Sequence, residues 1–200
     1  MMKDIIFDLG GVLIDWDPRY LYRKVFTTEK EVDWFLSNVC TQPWNTQQDA
    51  GRSFEEGIAQ LEEKFPEYAF AIRFYWTRWE EMLGGEVPGT ADILRALEKR
   101  GYRVYALSNW SAQTFEIAKG KFDFFNEFDG IMISGEEKLV KPDPQIFSRF
   151  VKKYNLQISN CVFIDDNAAN ISKAADLGFE TIRFAGAEAL QRTLVSRGIL

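Results

Sequence analysis

The sequence contains no histidine among its 200 residues. This absence excludes Ser-His-Asp and Cys-His catalysis, and it excludes every zinc site that is built on histidine. The two cysteines, Cys40 and Cys161, are too few for a disulfide framework or for a cysteine metal cluster. Any chemistry must therefore depend on carboxylates, lysine, serine, asparagine, or a metal ion held by oxygen atoms.

The chain also lacks a hydrophobic run that is long enough to span a bilayer. The apolar stretch 5–14 is similar to a signal-peptide core, but Asp8 interrupts it, so we expect no export. A formal net charge of −6 argues against nucleic acid and against an anionic membrane as partners. Together with the low cysteine content, these features predict a cytoplasmic protein.

Five short segments rich in β-branched and aromatic residues are typical of buried parallel strands, and they lie at 3–9, 102–107, 130–134, 161–164 and 181–184. Helical spacing of apolar residues occurs between or after most of them, at 90–100, 144–154, 168–177 and 187–197. This alternation predicts an α/β fold with a Rossmann-like, doubly wound parallel sheet and right-handed crossovers.

Residues 17–85 interrupt the alternation, because they contain no convincing strand. Within them, Ser53 followed by Glu56 has the spacing of a helix-capping box. Residues 67–83 are rich in aromatic side chains and predict one long helix, which the next two glycines would end. The sequence therefore predicts two units, an α-helical cap of residues 17–85 and a core of residues 1–16 and 86–200.

Four polar motifs follow the predicted strands or lie beside them: IIFDLGGVLID (5–15), ALSNWS (106–111), KPDP (141–144) and VFIDDNAAN (162–170). Ligands of open α/β sheets bind beyond the carboxyl ends of the strands, so we expect the motifs to form one site. Asp8 follows a strand and precedes two glycines, which leaves its carboxylate open to a ligand. It can act as a covalent nucleophile that forms an aspartyl-phosphate. Gly11 is expected to permit the close turn.

Ser108 and Asn109 end the second motif strand, beside a predicted helix start. A hydroxyl group and a helix N-terminus suit a phosphoryl oxygen, although Ser-Asn in isolation is more often a simple helix cap. Lys141 precedes a proline that restricts its backbone to extended conformations. A lone lysine is ordinarily solvated, but here its ammonium group can offset charge on the nucleophile and on a phosphate.

Asp165 and Asp166 are adjacent at the end of a strand. Neighbouring carboxylates repel each other unless a cation or hydrogen bonds compensate them. A small set of oxygen ligands suits Mg²⁺, which retains several of its waters. Because side chains alternate along a strand, we expect one of the two aspartates to bind the metal and the other to support it. Asn170, in the first turn of the next helix, can return to the same site.

These motifs, in this order and with a helical insertion after the first strand, resemble the haloacid dehalogenase superfamily of hydrolases over the whole chain. The resemblance implies a Mg²⁺-dependent phosphomonoester hydrolase that forms an aspartyl-phosphate and acts on a small phosphorylated metabolite, for example a sugar phosphate. It implies that Asp8 is the nucleophile and that the phosphate is bound by Ser108, Asn109 and Lys141, of which Lys141 also stabilises charge. It also implies that Asp8, Gly10 and Asp166 bind the metal, and that Asp165 supports the metal site or is a secondary ligand.

The sequence departs from this family at Gly10. Phosphatases of the family usually carry an aspartate there, whose side chain is their general acid and base and whose carbonyl binds Mg²⁺. Gly10 keeps the carbonyl but lacks the proton donor, a contribution worth roughly 10²–10⁴ in rate. Asp15 and Asp17, near the start of the cap, are candidate replacements that would act through water.

Two other functions are compatible with parts of the pattern. 2-Haloacid dehalogenases of the superfamily also use an aspartate nucleophile and lack aspartate at the Gly10 position. They use no Mg²⁺, however, and bind substrate through a cap arginine, whereas this chain has no arginine between Arg23 and Arg52. A catalytically weak binding or regulatory protein is the second alternative, and the intact nucleophile, lysine and acidic pair argue against it. Candidates for substrate selection by the cap are Trp44, Gln47 and Arg52, although each is more typical of a structural or solvated residue.

Overall fold

A parallel sheet of five strands forms the core of the protein, described here for residues 2–200 of a computed structural model. In chain order the strands are β1 (Asp4–Phe7), β2 (Ile14–Trp16), β3 (Leu83–Glu86), β4 (Arg103–Ser108), β5 (Gly130–Ile133), β6 (Cys161–Asp165) and β7 (Glu180–Arg183). The core sheet has the order β5-β4-β1-β6-β7, and each neighbouring pair is parallel. Strands β2 and β3 form a separate antiparallel ribbon.

The helices divide between the core and the insertion. In chain order they are α1 (Arg19–Tyr22), α2 (Glu29–Asn38), α3 (Gln42–Asp49), α4 (Phe54–Lys64), α5 (Ala69–Thr77), α6 (Thr90–Lys99), α7 (Ala112–Lys119), α8 (Ser134–Glu137), α9 (Pro144–Lys153), α10 (Ala168–Asp176) and α11 (Ala187–Ser196). Helices α1 to α5 lie between β2 and β3 in the chain, and the others alternate with the core strands. The predicted α/β fold with a Rossmann-like parallel sheet and a helical insertion is confirmed.

Helices cover both faces of the core sheet. Successive residues of a strand point to opposite faces, so one strand can contribute to an apolar cluster on each face. In β1, Ile5 and Phe7 belong to one buried apolar cluster, and Ile6 belongs to the other. Helices α6 and α11 contribute to the first cluster, and α9 and α10 contribute to the second. The continuous apolar sequence of these strands follows from this two-sided burial.

An aromatic core holds the insertion together. Its fully buried rings are Tyr22, Phe35, Phe54 and Tyr75, and they contact one another at centroid distances of 4.6 to 6.2 Å. Side-chain hydroxyls start three of its helices, because Thr28, Thr41 and Ser53 accept hydrogen bonds from the first turns of α2, α3 and α4. No helix within residues 2–200 is long and apolar enough to cross a membrane.

The predicted long helix at 67–83 is wrong. The segment instead contains 3₁₀ turns at Pro66–Tyr68 and Trp79–Met82, the short helix α5, and the start of β3. The expectation that residues 17–85 contain no strand is wrong for the same reason. Pairing with β2 overrides the local helical pattern. Gly84 lies against the Asp15 carboxylate of β2, and a side chain at this position would collide with it. The predicted unit boundaries at 16/17 and 85/86 stay a prediction.

Candidate active site

The register of the sheet brings polar side chains of three strands to one edge. Phe7 of β1 pairs with Ile164 of β6, so the next residues along the two strands, Asp8 and Asp165, are neighbours. The Asp8 N–H continues the ladder by donating to the Ile164 carbonyl at 2.8 Å. Ser108 ends β4 on the other side of β1. Three of the four sequence motifs therefore meet at the carboxyl ends of the strands, as predicted.

The Asp8 carboxylate is buried and held in one orientation. Its Oδ1 accepts hydrogen bonds from the Leu9 N–H and the Ser108 hydroxyl, both at 2.7 Å. Its Oδ2 lies 3.1 Å from the Lys141 ammonium nitrogen. Burial raises the pKa of Asp8 to about 7, Lys141 opposes that increase, and Asp165 adds to it. The negative charge at this point is therefore only partly compensated by the protein, and a further cation would favour the ionised carboxylate.

Lys141 joins the two strand-end carboxylates. Its fully buried Nζ donates to the Leu107 carbonyl at 2.8 Å and to Asp165 Oδ2 at 2.7 Å. Burial alone would lower the pKa of Lys141, but the carboxylates of Asp8 and Asp165 outweigh burial and leave its pKa above the ordinary value. The lysine is thus a buried cation beside the Asp8 carboxylate and not a solvated surface residue.

Asn109 positions the loop that carries this lysine. Its Nδ2 donates to the Lys141 carbonyl at 2.9 Å, and the Lys141 N–H donates to its Oδ1 at 2.8 Å. These two bonds occupy its side-chain amide on the protein side, although the residue also lines the cavity described below. The role of Asn109 as a phosphate ligand stays a prediction.

The acidic group consists of Asp8, Asp165 and Asp166, each of which offers a carboxylate oxygen within 4.8 Å of the others. Asp165 is fully buried and, besides the lysine contact, accepts from the Asn167 N–H at 2.8 Å and from Asn170 Nδ2 at 3.0 and 3.2 Å. Asp166 is exposed, and its pKa is raised by partial burial and by the adjacent Asp165. Protein donors therefore occupy Asp165, whereas Asp166 keeps its carboxylate available to a cation.

A cavity of about 280 Å³ separates this edge of the core from the helical insertion. Its core wall includes Asp8, Gly10, Ser108 and Asp166. One face of helix α3 forms part of the opposite wall, with side chains at the helical positions i, i+3, i+4 and i+7: Gln42, Asn45, Thr46 and Asp49. Aromatic residues complete the lining, namely Trp16, Phe54, Trp79 and Trp110.

Residues 2–178 match the haloacid dehalogenase-like hydrolase family. The chain belongs to this family. The resemblance inferred from the four motifs is thereby confirmed, and so is the expectation that the protein is a hydrolase. Asp8, Asp166 and Ser108 line the cavity, and the fully buried Lys141 contacts both Asp8 and Asp165.

Two curated relatives and one solved structure illustrate the similarity. D-ribitol-5-phosphate phosphatase of Bacteroides thetaiotaomicron is 25% identical over 196 residues, which cover 92% of this chain and 92% of the relative. Drimenol cyclase drtB of Aspergillus calidoustus is 27% identical over 198 residues, which cover 98% of this chain but 36% of the relative. A Bacteroides thetaiotaomicron enzyme of the family, crystallised with magnesium and inorganic phosphate, superposes with a TM-score of 0.69 at 24% identity and covers 93% of this chain and 96% of its own.

Gly10 and Gly11 follow Asp8 and Leu9, and the two glycines differ in what they allow. Gly11 has a φ of +73°, and a Cβ there would lie 2.7 Å from Asp166 Oδ2, so the turn requires glycine. At Gly10, apart from the glycine itself and its two chain neighbours, no heavy atom of residues 2–200 lies within 4 Å of the position that a Cβ would take, and φ is not positive. Space and backbone conformation therefore do not account for the missing family aspartate at Gly10.

The two sequence candidates for the missing acid have other partners. Asp15 Oδ2 accepts from the Tyr20 hydroxyl at 2.7 Å, and Asp17 Oδ1 accepts from the Arg19 N–H at 2.8 Å at the start of α1. Neither aspartate is among the described residues that line the cavity. A bonded position outside the cavity makes both poor proton donors to a substrate.

The sequence candidates for the cap wall also lie off the cavity face of α3. Trp44 is buried in the aromatic core of the cap, where its indole N–H donates to the Gly57 carbonyl at 3.1 Å. Arg52 donates to Gln48 at 2.6 Å, and Gln47 is exposed. Within the described chain, none of these three candidates lines the cavity.

Sequence analysis missed Asp49, the cap carboxyl group that does line the cavity. The residue is buried, and its carboxylate accepts from Asn45 Nδ2 at 3.1 Å and from the Ser111 N–H of the core. Burial raises the pKa of Asp49 to about 7, the Ser111 N–H opposes that increase, and Asp8 adds to it. The signal in the sequence was the run of polar residues at helical spacing that begins after Thr41.

Asp49→Asn should change how stability depends on pH. The folded carboxyl has a pKa of about 7 and the unfolded one 3.8, so the folded state holds the proton more tightly. The contribution of Asp49 to wild-type stability therefore falls as pH rises from about 4 to about 7, and asparagine removes that loss. We expect the free energy of unfolding of the variant, relative to wild type, to increase by up to about 4 kcal/mol between pH 4 and pH 8.

Chemical denaturation at a series of pH values, with a chelator present, measures this difference. At pH 4, close to the unfolded pKa of 3.8, little of this loss has developed, so the difference there mainly reports the packing effect of the substitution. A difference that stays constant up to pH 8 would contradict the raised pKa.

Proposed function

We propose that this protein is a Mg²⁺-dependent phosphomonoester hydrolase that acts through an aspartyl-phosphate on Asp8. Its substrate is a small phosphorylated metabolite, with sugar phosphates as the first class to test. The observation that carries the proposal is the Asp8 carboxylate, held between Ser108 and a buried Lys141 and open to a cavity beside Asp166. The phosphatase relative and the magnesium–phosphate complex of a related fold support the same reaction.

The geometry around Asp8 suits nucleophilic attack. Leu9 and Ser108 hold Oδ1, which leaves Oδ2 beside Lys141 to approach phosphorus. As the Asp8 oxygen forms its bond to phosphorus, the ester P–O bond breaks and the alcohol leaves. Water then attacks the aspartyl-phosphate, releases inorganic phosphate and restores the carboxylate. Throughout, Lys141 offsets the negative charge that gathers on the phosphoryl oxygens.

The donor set at the edge of the sheet fits a hard divalent cation. Asp8 and Asp166 offer carboxylate oxygens, and Gly10 lines the same cavity. These two carboxylates and the Gly10 carbonyl would hold Mg²⁺. When bound there, Mg²⁺ would neutralise charge on the transferring phosphoryl group and favour ionised Asp8. Asp165 and Asn170 would act indirectly, because their hydrogen bonds fix the end of β6 and the start of α10.

The other two functions receive less support from the same residues. A haloacid dehalogenase of this family binds its substrate carboxylate with arginine, and none of the arginines in residues 2–200 lines the cavity. The acidic group would also repel a haloacid. A binding protein without catalysis would not need the buried lysine and the oriented nucleophile together.

Release of inorganic phosphate from a panel of phosphomonoesters tests the proposal. The panel should contain pentose and hexose phosphates, polyol phosphates and aryl phosphates, each assayed with Mg²⁺. We expect turnover by the wild-type protein that is absent in Asp8→Asn. Rates on all esters that do not exceed those of this variant would contradict the proposed function.

Substrate preference should follow the cavity face of α3. The core residues contact the phosphoryl group, which all phosphomonoesters share, so differences between esters must come from the cap. We expect Thr46→Val and Gln42→Ala to change the ratio of kcat/KM values between two sugar phosphates by roughly 10-fold or more. Thr77→Val is the control for Thr46→Val, because it makes the same chemical change at an exposed site of α5, and it should leave the ratio unaltered. Equal losses on every ester would assign Thr46 and Gln42 to folding.

A further inference from the structure

Three carboxyl groups line the cavity among residues 2–200: Asp8, Asp49 and Asp166. Asp8 and Asp166 belong to the core wall, at the ends of β1 and β6, whereas Asp49 ends helix α3 on the cap wall. In phosphoryl transfer the attacking and leaving oxygens lie roughly in line, on opposite sides of phosphorus. If Asp8 attacks from the core, the leaving oxygen faces the cap wall, where Asp49 is the carboxyl group.

The core holds Asp49 in place. Ser134 of the core donates through its hydroxyl to the Asp49 carbonyl at 2.6 Å, and the Ser111 N–H donates to the carboxylate. Asn45, one turn earlier on α3, donates to Oδ2 at 3.1 Å. The groups that act on the charge of its carboxylate are the Ser111 N–H and the Asp8 carboxylate, with no lysine or arginine of the described chain among them. A buried carboxyl group without a cation favours its protonated form, which is the form that can donate.

We propose that Asp49 donates the proton to the leaving group and accepts the proton from the attacking water, in place of the aspartate that other family members carry at the position of Gly10. The proposal rests on the phosphatase function proposed above and assigns its acid–base residue to the cap. It gives the cap a part in the chemistry, since the contacts of Asp49 with Ser111 and Ser134 hold its carboxyl group at the cavity.

The proton balance closes over one turnover. In the first half, Asp8 bonds to phosphorus, the ester P–O bond breaks, and the Asp49 proton passes to the departing oxygen to form the alcohol. In the second half, a water oxygen bonds to phosphorus, the bond between phosphorus and Asp8 breaks, and the water proton passes to the Asp49 carboxylate. Inorganic phosphate leaves, and both aspartates return to their starting states.

A series of aromatic esters of similar size tests this role. In p-nitrophenyl, phenyl and benzyl phosphate the leaving oxygen becomes steadily more basic, so the need for a proton rises along the series. The kcat/KM value covers only the steps up to release of the alcohol, which isolates the donor role. We expect Asp49→Asn to lower kcat/KM about 10²-fold or more on benzyl phosphate and by only a few-fold on p-nitrophenyl phosphate.

Two variants control the comparison. Asp49→Glu keeps an acid and should recover part of the loss on benzyl phosphate, and Glu63→Gln makes an acid-to-amide change at an exposed site of α4 and should match wild type on all three esters. If Asp49→Asn does not fold, Asp49→Ser serves the same comparison. A loss of equal size on the three esters, or no loss, would overturn the proposal.

The acceptor role has its own readout. With p-nitrophenyl phosphate, Asp49→Asn should accumulate phosphorylated enzyme after acid quenching, because water attack becomes slow while the first step proceeds. An unchanged level of phosphoenzyme would overturn the acceptor role. Failure of the Asp49 assignment is distinguishable from failure of the proposed function, because wild type then still hydrolyses p-nitrophenyl phosphate and Asp8→Asn still does not. If wild type hydrolyses no ester, both proposals fall.

Discussion

Asp8→Asn should lower the rate of phosphate release by at least about 10⁴-fold, which is the scale of losing a covalent nucleophile. Asparagine keeps the shape of the side chain, and its oxygen can still accept the hydrogen bonds from Leu9 and Ser108. The amide is a poor nucleophile, however, and it leaves the Lys141 ammonium without one of its two carboxylate partners. We therefore expect a folded protein that binds phosphate but does not turn over. Steady-state release of phosphate with Mg²⁺ measures the loss.

A matched control separates this effect from a general effect of removing a carboxylate. Asp176→Asn changes an exposed aspartate at the end of α10 and should keep the wild-type rate. Circular dichroism and the melting temperature of both variants establish that they are folded. A folded Asp8→Asn variant that retains more than about 1% of the wild-type rate would exclude Asp8 as the covalent residue.

Exhaustive chelation should lower turnover about 10³-fold, because a metal that polarises a phosphoryl group contributes several kcal/mol. The acidic group gives the physical reason. Partial burial and the neighbouring Asp165 raise the pKa of Asp166, and burial raises that of Asp8 to about 7, so a divalent cation is needed to favour both ionised forms. Assays before and after treatment with EDTA, followed by stepwise addition of Mg²⁺, measure the effect.

Addition of Ca²⁺ in place of Mg²⁺ provides the control, because Ca²⁺ binds carboxylates but takes more ligands at longer distances. We expect Mg²⁺ to restore the rate and Ca²⁺ to restore little of it. Turnover that is insensitive to chelation would contradict the metal assignment and would favour the metal-free dehalogenase type of chemistry.

The core and its half of the site could be predicted from the sequence because their determinants are local. Each core strand is a short apolar run, and Asp8, Ser108 and Asp165 lie where such a run ends. Parallel pairing then places the strand ends at one edge whatever the details of the register. The helical position of Asn170 likewise fixed its return to Asp165, where it donates to both carboxylate oxygens.

The cap resisted prediction because its structure depends on contacts that are distant in sequence. Gly84 occurs after a helix-forming pattern, but pairing of β3 with β2 turns the segment into a strand. The cavity face of α3 is defined only once the cap meets the core, through Ser134 and Ser111 on Asp49. The sequence alone does not show this contact, and Trp44, which it offers as a candidate for the cap wall, is buried inside the cap.

Trapping the covalent intermediate tests the central claim most directly. Wild-type protein is mixed with Mg²⁺ and a labelled phosphomonoester, quenched in acid within the first turnovers, digested and mapped by mass spectrometry. The account predicts label on Asp8 alone, with no label in the Asp8→Asn variant. Label on another residue would contradict it. So would phosphate release without any covalent label, when attack by water is shown to be rate-limiting.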